Sequence, residues 1–366
     1  MKILSVVGAR PQFIKAGIIS RKLREKGVRE IILHTGQHYD FNMSEIFFKE
    51  LGIPDAHYFL GVGSGNHGEQ TGKMLAGIEK VLLNEKPEVV IVYGDTNSTL
   101  AGALAASKLH IKVAHVEAGL RSFNKLMPEE INRVLTDHIS DILFVPTVAA
   151  EKNLEKEGIT KGVYKVGDVM LDVALEANGK IDGNEVLNKF NLRPKEFLLV
   201  TLHRAENVDD FEKMEGIINA LIEISDSIKI FFPVHPRTRK KLEDFELIEG
   251  LTGSERIIIS APVSYFEMIS LEKNANIIIT DSGGVQKEGY FFGTPCIVAR
   301  SETEWVELTD IGFNAVCGCQ KSRIISTFFR FLENAGKNIV NRGSGFNLEL
   351  YGSGNASERI LEVLLG

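Results

Sequence analysis

Short runs of apolar, β-branched residues alternate with segments of helical spacing along nearly the whole chain of 366 residues. Such runs, bounded by glycine, proline or small polar residues, are typical of strands buried on both faces of a parallel sheet. Strands that alternate with helices of about 10 to 15 residues form right-handed βαβ units. The predicted strands are 2–7, 30–34, 89–93, 113–116, 142–145, 197–201, 229–234, 257–260, 277–280 and 296–298.

The length and the spacing of these strands predict two domains, because 366 residues exceed one typical domain. The alternation pauses over residues 167–176 and the polar, Gly- and Asn-bearing segment 177–191, which together we interpret as the connection between the domains. A second segment, 52–68, is rich in Gly and Asn and reads as a long loop, following a predicted helix that reaches Leu51. The predicted fold class is α/β, with two Rossmann-like, doubly wound domains that face each other across a cleft.

Composition narrows the possible partners. The chain is 44% hydrophobic and 25% charged, as in soluble globular proteins, and its formal charge of −7 argues against nucleic acid and acidic membranes. No apolar run approaches the roughly 18 to 20 residues of a membrane span, and the opening run is too short for a signal peptide, so we expect a cytoplasmic protein. Three cysteines argue against a disulfide framework, and Cys317 and Cys319 lack the neighbours of a metal site, so neither metal nor cofactor is expected.

One stretch, 277–300, predicts a strand, a glycine turn, a helix and a second strand. The turn contains Ser282, Gly283 and Gly284, where the free N–H groups of the helix and about half a positive charge from its dipole favour a phosphate. Glu288 lies one helical turn further on, where its carboxylate could accept from two ribose hydroxyls. We interpret the stretch as a nucleotide site; the alternative is an ordinary turn, since neither a Walker A loop nor a dinucleotide fingerprint is present.

Cations and acids follow the predicted strands of the first half. Arg10 lies in the turn after the first strand and Lys15 one helical turn later, a pair that suits a diphosphate at the edge where open α/β sheets bind ligands. Asp95 and Glu117 end two strands, and Glu129 opens a helix, so the three acids could share general acid and base roles. The alternatives are solvated cations, a helix-capping Asp95 and a dipole partner in Glu129.

Two histidines end strands of the second half. His203 follows the strand 197–201 and His235 follows the strand 229–234. A single histidine is more often structural, but two at corresponding strand ends favour a site.

Seven motifs occur in one order over nearly the whole chain, and together they resemble the non-hydrolysing UDP-N-acetylglucosamine 2-epimerases, which have the glycosyltransferase-B fold. Each motif alone is weak, whereas seven in register are specific. They are GARPQFIK at 8–15, GDT at 94–96, HVEAGLRS at 115–122, PEEINR at 128–133, HRAEN at 203–207, PVHP at 233–236 and DSGGVQKE at 281–288.

The resemblance implies interconversion of UDP-N-acetylglucosamine and UDP-N-acetylmannosamine, by elimination of UDP to a 2-acetamidoglucal and re-addition of UDP. It implies domains of 1–172 and 173–354, with the C-terminal helix 355–366 returning to the first, and a homodimer serving polysaccharide biosynthesis. The family's catalytic and substrate-binding residues would fall on the positions derived above. The catalytic ones are Asp95, Glu117, Glu129 and His203, and the substrate-binding ones are Arg10, Lys15, Ser282, Gly283, Gly284 and Glu288.

Three departures from the family pattern stand out. Ala205 replaces an arginine of the common His-Arg-Arg-Glu-Asn motif, and Trp305 replaces an arginine that contacts phosphate. Bacterial relatives bind an activating second nucleotide sugar through a Gln-His-Arg loop and a further arginine. Here Tyr39 takes the place of the loop arginine and Glu69 that of the further arginine, which puts such activation in doubt.

Three other functions remain open from the sequence. A binding or regulatory protein without turnover would keep Arg10, Lys15 and Glu288 but would have no use for the three acids. A hydrolysing epimerase would release free N-acetylmannosamine and UDP, and a glycosyltransferase would pass the sugar to an acceptor. Further substituents on the sugar, such as a 3-acetamido group or a uronate, are not determined by these residues, nor is the choice of the acid that removes the C2 proton.

Overall fold

The computed structural model describes residues 1–37, 55–180, 182–335 and 350–366. The chain divides into two compact units: Met1–Leu175 together with Leu348–Gly366, and Glu176–Asn347. The predicted helix that reaches Leu51, and Tyr39 of the altered activator loop, lie outside the described residues.

The described residues of the first unit form seven strands and the helices that connect them. Its strands are β1 Lys2–Val7, β2 Arg29–His34, β3 Tyr58–Phe59, β4 Val89–Tyr93, β5 Lys112–Val116, β6 Ile142–Val145 and β7 Val163–Lys165. Its described helices are α1 Arg10–Glu25, α2 His67–Glu85, α3 Asn97–Lys108, α4 Pro128–Ile139, α5 Val148–Lys156 and α6 Val169–Lys180, the last of which runs on into the second unit.

All seven strands pair in parallel, in the order β3-β2-β1-β4-β5-β6-β7. The order reverses between β1 and β4, and ligands of open α/β sheets bind at the carboxyl end of such a switch point. The segments after β1 and β4 carry Arg10, Lys15 and Asp95, so the topology puts candidate site residues at that point.

Over the part of it that the structure describes, the second unit repeats this plan with six parallel strands in the order β10-β9-β8-β11-β12-β13. The strands are β8 Phe197–Thr201, β9 Lys229–Pro233, β10 Ile257–Ser260, β11 Ile277–Thr280, β12 Cys296–Val298 and β13 Ala315–Val316. The helices are α7 Gly183–Lys189, α8 Ala205–Val208, α9 Phe211–Ser225, α10 Pro236–Asp244, α11 Ile248–Thr252, α12 Tyr265–Asn274, α13 Gly283–Phe291, α14 Val306–Asp310 and α15 Lys321–Ala335. The predicted class, α/β with two Rossmann-like units, is confirmed.

Apolar strands form the core of each sheet. All five residues of β4, all five of β8 and all four of β11 are buried, as expected for strands covered by helices on both faces. Burial of this apolar surface is the main favourable term in folding, and the strand ends can then carry polar groups without disturbing the core.

The last helix, α16 Ala356–Leu365, packs on α1 of the first unit. Asp172 of α6 accepts hydrogen bonds from the backbone N–H groups of Ala356 and Ser357, at 3.1 and 2.8 Å, and from the Ser357 hydroxyl at 2.6 Å. A residue distant in sequence thus caps α16, whose own N-cap residue, Asn355, makes no capping hydrogen bond.

Two predicted loops contain regular structure. The segment 52–68 includes β3 and the first residues of α2, and the connection 167–191 is largely helical, since it contains α6 and α7. The polar composition of these segments suited a loop, but tertiary partners outweigh such weak local preferences. Within the described ranges, none of the helices is both long and apolar enough to cross a membrane.

Candidate active site

Two turns at the carboxyl edge of the first sheet hold the candidate acids at the ends of neighbouring strands. Gly94 follows β4 with φ of 64° and precedes Asp95, and Glu117 follows β5 with φ of 75°. The Gly94 N–H donates to the Val116 carbonyl at 3.0 Å, which joins the two strand ends. A left-handed backbone is uncommon for glutamate and costs of order 1–3 kcal/mol, so the surrounding structure must hold Glu117 in place.

Lys15 forms an ion pair with Glu117. The Lys15 side chain is 7% exposed and the Glu117 side chain 12% exposed, so solvent screens the pair poorly. The pair also lies close to Gly94, the residue before Asp95. A methyl group added to Gly94 would lie 3.5 Å from the Glu117 Oε2 and 3.8 Å from the Lys15 Nζ. Sequence analysis predicted that these residues lie at one edge, and the structure shows Lys15 and Glu117 in contact.

Asp95 has a cationic partner that the sequence analysis missed. The guanidinium of Arg133 pairs with the Asp95 carboxylate and, at 3.0 Å, with Glu130. The Arg133 side chain is 4% exposed and the Asp95 side chain 32% exposed. The carboxylate is therefore held by a buried cation and still remains accessible to solvent. The motif PEEINR contains Arg133 one helical turn after Glu129, but its spacing alone did not show which acid it would meet.

The adjacent acids Glu129 and Glu130 open α4 and have different surroundings. Glu130 is buried and accepts hydrogen bonds from the N–H groups of Ser122 and Phe123, both at 2.9 Å, which fixes the preceding loop. Glu129 is half-buried, and its carboxylate has neither a hydrogen bond nor an ion pair with the part of the chain that the structure describes. It is therefore available for another partner, whereas Glu130 has a structural role.

His115 and Asp137 form a buried pair beneath these turns, also missed from the sequence. The His115 Nδ1 lies 2.7 Å from the Asp137 Oδ1, and its Nε2 lies 2.7 Å from the Gly94 carbonyl oxygen. The other Asp137 oxygen accepts from the Gly119 N–H at 3.0 Å and from Arg121 at 2.7 Å. Burial raises the pKa of Asp137, but His115 and Arg121 outweigh it, and the net pKa lies below the usual range.

A second polar cluster lies at the carboxyl edge of the second sheet, around Asp281. This residue follows β11, is fully buried, and accepts from the N–H groups of His203 and Arg204 at 3.1 and 3.0 Å. The His203 Nδ1 lies 3.4 Å from the Asp281 Oδ1, while the side chain is 51% exposed. Asp281 thus holds the Nδ1 side of an imidazole that is half exposed.

The helix α13 begins at the turn for which the sequence predicts a phosphate site. Its N-cap residue, Ser282, makes no side-chain capping hydrogen bond. A methyl group on Gly283 would clash with the Glu304 carboxylate and lie 3.3 Å from the Trp305 Nε1, so Glu304 would have to move to accommodate a larger residue here. Gly284 follows directly, and the first-turn N–H groups of this nine-residue helix can bind an anion.

Glu288 lies on α13 as predicted, and its carboxylate is close to Gly284. A methyl group added to Gly284 would lie 3.9 Å from the Glu288 Oε2. The Tyr265 hydroxyl donates to the other oxygen, Oε1, at 2.9 Å, which orients the carboxylate. No sequence signal linked Tyr265 to this site, because α12 and α13 meet only in the folded unit.

Trp305, which occupies an arginine position of the family pattern, is 3% exposed. The Lys287 ammonium lies over its ring, 4.0 Å from the ring centroid, in a cation–π contact. Arg300 is buried beside it and pairs with Glu304 at 2.8 Å, with Arg204 3.9 Å from the same carboxylate. Positive charge is thus present around this helix end although the family arginine is absent. Arg10 starts α1, at the switch point of the first sheet.

Comparison with known proteins identifies the family. A family model described as UDP-N-acetylglucosamine 2-epimerase matches residues 21–365. A UDP-N-acetylglucosamine 2-epimerase homolog of Methanococcus maripaludis is 54% identical over 100% of this chain and 99% of its own. A UDP-2,3-diacetamido-2,3-dideoxy-D-glucuronate 2-epimerase of Pseudomonas aeruginosa is 50% identical with the same coverage. The crystal structure of Methanocaldococcus jannaschii UDP-GlcNAc 2-epimerase in complex with UDP-GlcNAc and UDP is 46% identical, covers 100% of this chain and 99% of its own, and has a TM-score of 0.88. The chain belongs to the UDP-N-acetylglucosamine 2-epimerase family.

Proposed function

We propose that this protein interconverts UDP-N-acetylglucosamine and UDP-N-acetylmannosamine by inverting C2 of the sugar. The observation that carries the proposal is the grouping of Asp95, Glu117 and Lys15 at the switch point of a Rossmann-like sheet in a chain of this family. Carboxylates can move a proton at C2, and a cation suits the diphosphate whose departure the reaction requires.

The proposed route is elimination followed by re-addition, because the C2 proton is not next to a carbonyl group and is poorly acidic. One carboxylate takes the C2 proton as the bond between C1 and the UDP oxygen breaks and a C1–C2 double bond forms. The 2-acetamidoglucal then receives a proton on the opposite face of C2, and UDP adds back to C1. Atoms and charges balance without an external oxidant or cofactor.

Within this route, we assign proton transfer to the first unit. Glu117 is our candidate for the base, because a diphosphate that attracted Lys15 would weaken the ion pair that now stabilises the ionised carboxylate. Asp95 stays the alternative, held by Arg133. Glu129, with no partner among the described residues, is assigned to the other face of C2.

We assign nucleotide binding to the second unit. Ser282, Gly283 and Gly284 would bind phosphate oxygens through the first turn of α13, and Glu288 would accept from the ribose hydroxyls. His203, whose ring is half exposed and held by Asp281, would contact the diphosphate. Arg10 and Lys15 remain the proposed cations of the first unit.

The test follows the sugar by NMR when the pure protein is incubated with UDP-N-acetylglucosamine in D2O without an acceptor. Deuterium at C2 of a UDP-linked product supports the proposal and its non-hydrolysing form. Release of free N-acetylmannosamine with UDP would instead establish a hydrolysing epimerase. Absence of both exchange and release would contradict an epimerase on this substrate and leave a glycosyltransferase to be tested with acceptors.

A second candidate substrate is a UDP-linked 2,3-diacetamido uronate. The observation that favours it is that the P. aeruginosa relative named for this substrate is 50% identical, against 46% for the M. jannaschii UDP-GlcNAc 2-epimerase. The same D2O experiment with both nucleotide sugars decides between them: C2 exchange at least tenfold faster with the uronate would make it the substrate.

The predictions of a homodimer, of a cytoplasmic location and of a role in polysaccharide biosynthesis stay predictions. The first is checked by the solution mass in light scattering, which should be twice the 40.5 kDa of the chain. A mass of 40.5 kDa at enzyme concentrations used for assay would contradict it.

A further inference from the structure

One buried histidine connects the three elements that carry the candidate acids. His115 lies on β5, two residues before Glu117. Its Nε2 lies 2.7 Å from the carbonyl oxygen of Gly94, the residue before Asp95, and its Nδ1 lies 2.7 Å from Asp137 of α4. Helix α4 also carries Glu129 in its first turn.

Hydrogen-bond chemistry determines how many protons this ring carries. A carbonyl oxygen only accepts, so Nε2 must donate to Gly94. The Asp137 carboxylate accepts from Arg121 and from the Gly119 N–H through its second oxygen, which stabilises its ionised form, so Nδ1 must donate as well. A neutral imidazole has one N–H and cannot satisfy both contacts.

The charges around the ring agree with this assignment. Arg121 and Asp137 face it from the loop after β5 and from α4, and Glu157 at the end of α5 binds the other side of Arg121 with two hydrogen bonds of 2.7 Å. With a protonated His115 the four groups are two cations and two anions. With a neutral ring, the cluster would hold an uncompensated negative charge, and His115 and Asp137 are both fully buried.

We propose that His115 is held as an imidazolium and acts as a positioning residue that fixes Asp95, Glu117 and Glu129 for proton transfer at C2. The inference rests on the proposed function for its catalytic part. The left-handed backbone at Glu117 is costly for a residue other than glycine, so contacts from the surrounding structure must hold it, and the His115 bond to the Gly94 carbonyl links the two turns. A shift of about 1 Å in a reacting group can reduce the rate by roughly 100-fold.

The charge state is tested on the full-length wild-type protein labelled with ¹⁵N-histidine. We expect both ring nitrogens of His115 to show the chemical shifts of protonated nitrogen at pH 7, with the resonances assigned by their loss in His115→Gln. An unprotonated nitrogen at pH 7 in the wild-type protein would overturn the proposal, whatever the activity.

The positioning role is tested by the kinetics of His115→Gln and Asp137→Asn. We expect kcat for C2 exchange to fall about 100-fold in each, with the UDP dissociation constant within about twofold of wild type. The matched control is His138→Gln on the same helix, an exposed histidine 3.2 Å from Glu157, which should keep wild-type kcat.

A merely structural histidine would give a lower melting temperature with unchanged kcat per folded molecule, and that result would overturn the positioning role. Should His115→Gln fail to fold, the kinetics of Asp137→Asn decide the positioning role, and the His115 resonances of the wild-type protein are assigned by their shift in Asp137→Asn, which removes the Nδ1 partner. If wild-type protein exchanges deuterium into neither nucleotide sugar, the proposed function fails and the positioning role falls with it, while the spectra separately decide the charge on His115.

Discussion

Replacement of Glu117 by glutamine is the sharpest perturbation of the proposed mechanism. Glutamine has nearly the same side-chain volume as glutamate, and its backbone meets the same left-handed conformation at this position. It lacks the negative charge that pairs with Lys15. Because glutamine cannot take the C2 proton, we expect exchange in D2O to be lost, while UDP still binds.

The magnitudes follow from the burial of the pair. Loss of a general base costs about 10² to 10⁴ in rate. The Lys15 side chain is 7% exposed, so the variant leaves a nearly buried cation without its carboxylate, which costs about 3 to 5 kcal/mol of folding stability in comparable pairs. A diphosphate that paired with Lys15 would recover part of this cost, so UDP should raise the melting temperature more in Glu117→Gln than in wild type.

The assay compares three proteins by NMR in D2O and by thermal unfolding with and without UDP. Glu85→Gln is the matched control, because Glu85 pairs with Lys2 at 2.6 Å in the same unit and is 15% exposed, but lies near the start of β1, at the opposite edge of the sheet. It should retain exchange. Exchange in Glu117→Gln within tenfold of wild type would remove Glu117 from the chemistry, and weaker UDP binding would show that the carboxylate acts in binding.

Three further predictions concern stability and the nucleotide site. Asp172→Ala should lower the stability of the first unit by about 1 to 3 kcal/mol in urea unfolding and expose the amides of α16 to hydrogen exchange, because the Ser357 cap is lost; unchanged exchange would contradict the cap. Gly283→Ala should weaken UDP binding at least tenfold in calorimetry with a near-native circular dichroism spectrum, because the methyl group collides with Glu304; wild-type affinity would argue against this phosphate site. Asp137→Asn should cost about 3 to 5 kcal/mol at pH 7. Because the folded pKa of Asp137 is lowered, this stabilisation is complete above its unfolded value of about 3.9 and is lost as pH falls through the folded pKa, so wild type and variant should converge in acid; a constant difference down to pH 3 would refute this.

The fold was readable from the sequence wherever a strand is buried on both faces. The strands of 2–7, 89–93 and 197–201 were predicted with the bounds that the structure shows, because their continuous apolar runs have no other stable environment. The two-residue strands β3 and β13 were not predicted, since so short a segment becomes a strand only through its neighbour. The helix α7 was taken for a linker, because its polar composition hides the two residues it buries, Val186 and Leu187.

The site was readable as a set of residue types at strand ends, but its contacts were not. Sequence position predicted that Lys15 and Glu117 share an edge, and folding brought them into contact across 102 residues. Arg133 was visible in a motif, yet only the structure assigns it to Asp95, because the partner depends on the rotation of α4 against β4. Tyr265 gave no signal at all, since nothing in its neighbourhood marks a ligand of Glu288.

The sequence by itself determined the alternation of strands and helices, and with it the edge at which the polar residues must lie, because hydrophobic periodicity and chain connectivity act locally. It also carried the motifs that indicate the family. Only the tertiary structure decided which charges meet: the pairing of Lys15 with Glu117, the separation of Glu129 from Glu130, and the two acceptors that require a protonated His115. The physical reason is that burial and hydrogen-bond geometry at about 3 Å depend on neighbours far apart in the chain, which no local pattern specifies.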